Sequence, residues 1–516
     1  MGVVNSLLSC YKGDMIAKIH SVVPYGFEGK LVEVEGDMNR GLPAFSIVGM
    51  ANKTVNEAKE RVRSAIVNSD FFFPNKKVTI NLAPAGLQKD GAYLDLPIAL
   101  SVLLLSGQLL QHDVENKTFV GELSLNGEIK PIRGIINVVE AAKKAGYQEI
   151  YLPIRNLAQA SLVSGITIYG VDALQSLYLA LKGQLALPMA HSESPLAKPL
   201  QNGFNGPILD HIRGQDLAKR AIEIAIAGHH NILISGPPGA GKTLLAKAAI
   251  NLLPELTPQE TIEITKLYSI AGLTDDEIIQ ERPFRSPHHS ASMTSLIGGS
   301  MGPGEISLAH KGILFLDEIP EFPRSVLEAL RQPLEDREIA ISRAGRKTIY
   351  PADFMLIATM NPCPCGYSGD ETHECKCTEA QIQIYRKKLS GPLFDRIDMN
   401  IEVQKVSNDD LRRDLPRSDS KHIVVKNTIT EAVARQKARY GQGGIFNSSL
   451  SSFQVSQLLK LESAAERLLT CASKNLNLSA RSYFKTIKVA QTIADLDCSD
   501  VILVKHLAEA LTFRRR

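Results

Sequence analysis

The chain of 516 residues contains no tryptophan, and aromatic residues make up only 6% of it. Neither charge sign dominates: 58 Lys and Arg stand against 55 Asp and Glu, a formal balance of +3. That balance excludes a protein that coats a polyanion over its whole surface, while a local basic patch stays open. No apolar run reaches the roughly 20 residues of a membrane span. The best one, Leu94 to Leu110, is broken by Asp95, Pro97, Gly107 and Gln108. At the N-terminus, Met1-Gly2-Val3-Val4-Asn5-Ser6 fits the loose myristoylation pattern and Leu7-Leu8-Ser9-Cys10 looks like a lipoprotein cleavage box. No basic region precedes them and the apolar stretch is too short for export, so the expectation is an N-terminal strand in a cytoplasmic protein. Seven cysteines, an odd count in a long chain, do not form a disulfide framework. Repeats of solenoid period are missing as well.

What is present is globular. Hydrophobic residues at 44% and charged residues at 22% are ordinary values, and the length suits about three domains. Residues 14–183 mix strand-like runs (Leu31–Glu35, Lys77–Leu82) with helical stretches (Lys53–Asn68, Gly134–Ala145). Residues 184–207, rich in proline and small polar residues, read as a linker. From 208 to 403, helices alternate with short apolar strands, Asn231–Ile234, Ile313–Leu316 and Phe354–Thr359, which predicts a mostly parallel, doubly wound α/β sheet. Residues 404–516 read as helical. Leu458, Leu461, Ala465, Leu468 and Ala472 trace one face, and Phe484, Ile487, Ala490, Ile493 and Ala494 another.

Gly236-Pro237-Pro238-Gly239-Ala240-Gly241-Lys242-Thr243 is a full Walker A sequence, set between the apolar run Ile232–Ile234 and a helical stretch. Its glycines let backbone N–H groups close on phosphate oxygens, Lys242 reaches the β- and γ-phosphates, and Thr243 holds Mg²⁺. Ile313–Leu316 ends in Asp317-Glu318. Asp317 is expected to orient Mg²⁺ and its water, and Glu318 to act as the general base on the attacking water. Four of the cysteines form Cys363-x-Cys365-x9-Cys375-x-Cys377 in a polar loop. Structural zinc, a redox pair and a metal-free loop are the alternatives. The single-residue spacing strains a shared ion, and His373 is a substitute ligand.

Together these features resemble the AAA+ ATPases, and within them the magnesium-chelatase-like branch. Gly41-Leu-Pro-Ala-Phe-Ser-Ile-Val-Gly49, Asn81-Leu-Ala-Pro-Ala85, Phe284-Arg-Ser-Pro-His-His-Ser-Ala291 and Asn361-Pro-Cys-Pro-Cys-Gly366 make nearly the whole chain similar to the bacterial ComM/YifB family. The resemblance implies an N-terminal ribosomal-S5-type, Lon-protease-like α+β domain over 1–183, a P-loop AAA+ core over 208–403 and a helical lid over 404–516. It also implies a homohexameric ATPase that migrates single-stranded or branched DNA in homologous recombination and natural transformation, beside recombination proteins. An AAA+ unfoldase or a chelatase-type motor subunit is the alternative. Asn361 then helps hold the lytic water, Arg396 is the arginine finger, and Arg481 reaches the γ-phosphate. Lon's nucleophilic serine and its lysine match Tyr93 and Ile136 here, so acyl-enzyme chemistry has neither nucleophile nor base. In a ring of this branch the pore-facing parts are insertions. The candidates are the Gly-rich stretch Ile297–Glu305 and a hairpin over Glu338–Tyr350, whose tip carries Arg343, Arg346 and Lys347 around Ala344-Gly345. Three such cations suit phosphate contact without reading sequence, although an ordinary exposed hairpin has the same pattern. Arg285, His288 and His289 read as structural or communication residues, since adjacent histidines on a helix cannot both face one metal.

Overall fold

A computed structural model of the chain describes residues 16–49, 53–87, 89, 92–190, 206–274, 276–299, 302–343, 346–369, 373–406, 420–441 and 445–514. The two N-terminal look-alike motifs and the Ala344-Gly345 turn lie outside the described residues. Among the described residues, no helix is long and apolar enough to cross a membrane. The chain forms two compact units: residues 1–199 with 258–280, and residues 200–257 with 281–516.

The first unit is mixed α/β. Its strands are β1 (Ala17–Tyr25), β2 (Glu28–Asn39), β3 (Ala44–Val48), β4 (Lys77–Ala83), β5 (Lys117–Phe119), the short pair β6 (Glu122–Leu123) and β7 (Ile129–Lys130), β8 (Glu149–Pro153) and β9 (Thr167–Val171). Seven of them form one sheet in the order β3-β4-β2-β1-β5-β8-β9. β1 and β2 run antiparallel with Tyr25 opposite Glu28, a reversal that Gly26 makes with φ +61°. The apolar run that falls short of a membrane span is a helix, Asp95–Leu105, buried along its whole length. A helix apolar on every side belongs inside a core. Asp95 at its start is almost fully buried and pairs with Arg61 at 2.9 Å. Burial wins over that pairing and pushes the carboxyl up to about 6. Ile136 is buried in the apolar interior and Tyr93 packs against it. Residues 188–190, inside the stretch read as a linker, hydrogen-bond along β9; residues 191–205 are outside the described set.

Residues 258–280 fold with this unit, although they follow the Walker A helix in the chain. In the helix Pro258–Ala271, Lys266 pairs with Glu140 at 2.6 Å and lies 4.3 Å from the centroid of the Phe27 ring. Ser269 accepts a hydrogen bond from the Gly134 N–H, and Ile262 and Ile278 join the core formed by Ile135, Val139 and Ile150.

The second unit is built on a fully parallel sheet of β10 (Ile232–Ser235), β11 (Phe284–Arg285), β14 (Ile313–Leu316), β17 (Met355–Met360) and β18 (Met399–Glu402), in the order β11-β14-β17-β10-β18. β14 and β17 are buried at every residue, as strands covered on both faces must be. Two small ribbons complete the set: β12 (Gly298–Gly299) with β13 (Gly302–Pro303), and β15 (Glu338–Arg343) with β16 (Arg346–Pro351). The C-terminal helices Ser420–Tyr440, Ser463–Asn475, Ala480–Leu496 and Val504–Thr512 share one hydrophobic core with this sheet. The face expected to run from Leu458 to Ala472 is not one helix. Leu458 ends the preceding helix Ser452–Leu458 and is exposed, while Leu461 makes an isolated bridge to Ile502.

Candidate nucleotide-binding site

The strand order decides which side chains meet. β14, β17 and β10 are neighbours, so whatever follows their C-terminal ends converges at one edge, where open parallel sheets bind ligands. β10 runs into the Gly236–Thr243 loop and then the helix Lys242–Ala249. Gly236 has no room for a side chain, since a Cβ there would lie 2.4 Å from the Val403 carbonyl oxygen. Gly239 and Gly241 sit in the left-handed region at φ +78° and +84°, and the space beside each is open. Lys242 is buried and donates to the carbonyl oxygens of Gly236 (2.5 Å) and Pro237 (3.1 Å) and to Asn361 Oδ1 (3.0 Å). Burial pulls its ammonium below the usual lysine range, against the opposing pull of Asp317 and Glu318.

The Thr243 hydroxyl donates to Asp317 Oδ2 at 3.3 Å, and Thr359 on β17 donates to Asp317 Oδ1. Glu318 adopts a left-handed backbone at φ +50°, uncommon for a residue with a side chain and a feature of functional turns. Its N–H donates to the Thr359 hydroxyl, and its Oε1 accepts from Asn361 Nδ2 at 3.2 Å. Asn361 therefore joins Lys242 to Glu318. Beside them opens a cavity of 520 Å³ lined by Glu318, Asn361, Pro364, Tyr385 and Lys388. Tyr385 and Lys388 carried no local signal in the sequence. They come from the helix Glu379–Lys387 and the residue after it.

The two candidate arginines stand together elsewhere. Arg396 Nη2 bonds Glu335, while its other nitrogens donate to the carbonyls of Arg331 (3.0 Å) and Pro392 (2.7 Å). Arg481 Nη2 donates to the other oxygen of Glu335 at 2.9 Å. Neither hydrogen-bonds to Lys242, Thr243, Asp317, Glu318 or Asn361. Hydrogen bonding to Arg396, outweighing partial burial, holds the Glu335 carboxyl below the usual range. Glu335 is 61 residues from one arginine and 146 from the other, so no spacing rule would have found it.

The other predicted residues are placed as follows. Arg343 and Arg346 are the last paired residues of the β15–β16 ribbon, and Lys347 beside them is exposed. The Gly-rich candidate adjoins that ribbon, because a Cβ on Gly298 would lie 2.9 Å from Ile341. Arg285 forms a bidentate pair with Glu305, and the rings of His288 and His289 lie 4.0 Å apart. The four cysteine sulfurs of 363, 365, 375 and 377 lie within 4.8 Å of one another despite the single-residue spacing. His373 stacks on Tyr367 and hydrogen-bonds with Lys405.

Residues 208–411 match the family described as magnesium chelatase, subunit ChlI; residues 34–156 match subunit ChlI of Mg-chelatase, and residues 419–514 match its C-terminal part. Competence protein ComM of Haemophilus influenzae is 42% identical over 506 residues, covering 97% of both chains. YifB of Escherichia coli is 40% identical over 503 residues, covering 96% of both. The magnesium-chelatase 67 kDa subunit of Chlorobaculum parvum is 28% identical over 153 residues, 29% of this chain and 23% of its own. With that identity held over nearly the full length, the chain belongs to the ComM/YifB family of magnesium-chelatase-like proteins.

Proposed function

We propose that the protein is an ATP-hydrolysing AAA+ motor that works as a hexameric ring on single-stranded or branched DNA in the cytoplasm, migrating branches during homologous recombination and natural transformation. The observation that carries this reading is the division of the hydrolytic machinery within one chain. The Lys242, Thr243, Asp317, Glu318 and Asn361 group lacks the arginines, which gather at Glu335. A site divided in this way is completed by a neighbouring copy. The full-length similarity to a competence protein supports the biological setting. The chelatase-family matches favour a chelatase-type subunit as a second reading, but the chelatase relative covers only 29% of the chain. The first unit serves assembly or DNA binding as a Lon-like domain without protease chemistry, and the C-terminal helices act as the lid.

The loop fits nucleotide with Mg²⁺: two left-handed glycines face open space, a lysine ammonium is capped only by oxygen acceptors, and a hydroxyl is paired with a carboxylate. When bound, magnesium ATP supplies the scissile phosphoanhydride bond and the charge that this loop is built to hold. With nucleotide bound, Lys242 would donate to phosphate oxygens in place of its loop carbonyls. Thr243 and Asp317 would hold the metal. Glu318 accepts the proton of a water in the adjoining cavity, with Asn361 fixing its carboxylate. Arg396 and Arg481 are delivered by the next subunit, and the β15–β16 tip contacts DNA phosphates through Arg343, Arg346 and Lys347.

The test is ATPase rate and oligomer size with single-stranded, duplex and four-way-junction DNA. No DNA stimulation together with no DNA-dependent assembly refutes the motor. Glu318→Gln should bind nucleotide normally and lose about 10²–10⁴ in turnover, whereas Lys242→Ala should lose binding.

A further inference from the structure

We infer that Cys363, Cys365, Cys375 and Cys377 form a tetrahedral zinc site whose occupancy positions Asn361 and the phosphate loop, setting the rate of ATP hydrolysis rather than nucleotide affinity. The inference rests on the ATPase reading above and adds a control element to it.

The donor set is four sulfurs with no carboxylate among them, which selects a thiophilic ion. None of the four is in a disulfide. Sγ of Cys363 lies 3.3 Å from that of Cys365 and 3.7 Å from that of Cys375, and Cys365 and Cys375 are 3.6 Å apart. Zinc–sulfur bonds of about 2.3 Å put tetrahedral sulfurs roughly 3.8 Å apart, so these three separations already come within about 0.5 Å of that size. Cys363 is buried, and the backbone N–H of Ser368 donates to its sulfur at 3.2 Å, the kind of support a thiolate ligand receives from its surroundings.

Two rigid paths lead from this cluster to the hydrolytic residues. Asn361 is two residues before Cys363, and Pro362 and Pro364 fix the backbone of that arm. The same Asn361 side chain accepts from Lys242 and donates to Glu318. Gly366 turns the arm with φ +86°, and a Cβ there would lie 2.8 Å from Pro238, so the turn is seated directly on the Walker A loop. The second arm, Cys375 to Cys377, leads into the helix Glu379–Lys387, whose Tyr385 lines the cavity beside Glu318. An ion shared by the two arms therefore ties together two walls of the hydrolysis cavity. Asn361 is a positioning residue in this scheme.

The experiment uses full-length protein purified without chelator. Wild type should carry about one zinc per chain, and Cys375→Ser/Cys377→Ser should carry less than about a tenth as much. Its kcat should fall about 10- to 100-fold, with the affinity for a fluorescent ATP analogue changed by less than about threefold. Stripping wild type with a thiol-reactive agent and chelator, then restoring zinc under reducing conditions, should abolish and recover the same kcat; this arm stands if the variant does not fold. Asn361→Ala should reproduce the kcat loss with zinc content intact. Under half an equivalent of zinc, iron in its place, or unchanged kcat in the stripped protein overturns the inference. A wild type that holds zinc yet hydrolyses no ATP overturns the ATPase reading and the coupling built on it, leaving only the metal.

Discussion

Glu335→Gln separates two uses of one carboxylate. Glu335 is half-exposed and binds Arg396 and Arg481 at once, occupying the groups that a triphosphate on a neighbouring copy would need. If it competes for them, removing its charge frees both arginines. Exposed ion pairs contribute about 0.2–1 kcal/mol each, so two of them withhold roughly 0.5–2 kcal/mol from the phosphate. In the proposed ring, neutralising Glu335 should then raise kcat/KM by roughly two- to thirtyfold. Arg396 would stay placed, because the Arg331 and Pro392 carbonyls still hold its other nitrogens. Arg396→Ala should instead cost about 10³-fold or more. The assay is steady-state ATP hydrolysis with DNA at saturating protein, where assembly is complete for each variant. If Glu335→Gln lowers kcat/KM as far as Arg396→Ala does, Glu335 holds the fingers in working order and the competition argument is wrong.

Two further outcomes can be checked directly. Each phosphate contact removed from the β15–β16 tip should reduce the slope of log affinity against log salt by about 0.9 on duplex DNA, so the Arg343/Arg346/Lys347 triple alanine variant should show a visibly flatter salt titration; an unchanged slope refutes the tip as a DNA contact. Asp398 immediately precedes β18, the strand at one edge of the second unit's sheet; it accepts from the Asn231 N–H and faces His230 and Lys485. Burial works to raise its pKa, but Lys485, His230 and Lys488 outweigh it and bring the carboxyl down to about 2. A depressed folded pKa gives stability that is present above the unfolded value near 4 and lost as pH falls from about 4 to 2, worth about 2 kcal/mol. Denaturant melts of Asp398→Asn should show a flatter acid limb than wild type over that window.

The candidate nucleotide residues were legible because each comes after a largely buried strand: Lys242 and Thr243 on the loop and helix after β10, Asp317 and Glu318 directly after β14, Asn361 directly after β17. A strand end and a short polar motif are both local, and the parallel order does the assembling. Glu335 was not legible, since its contacts depend on where Arg396, in the turn after the helix Gly391–Phe394, and Arg481, on the helix Ala480–Leu496, arrive. The approach of Gly366 to Pro238 likewise joins segments whose separation in sequence carries no pattern. Leu458 and Leu461 continued the apolar spacing of the next helix by coincidence of period, and the break between Leu458 and Ser463 is visible only in the backbone. The buried helix Asp95–Leu105 shows the reverse case: its all-round apolar surface erased the amphipathic signature by which helices are found.

The return of residues 258–280 to the first unit has a practical consequence for anyone cutting this protein apart. The polypeptide passes between the units three times, near 199, 257 and 280, so the N-terminal unit is not a removable leader but a partner stitched in mid-sequence. A truncation starting near residue 208 would keep Lys266 without Glu140 and Phe27, Ser269 without Gly134, and Ile262 and Ile278 without their core. A helix with its apolar and charged partners deleted is an aggregation seed. An ATPase fragment that behaves in solution should therefore require excising 258–280 along with the N-terminal residues and rejoining the chain between Thr257 and Glu281.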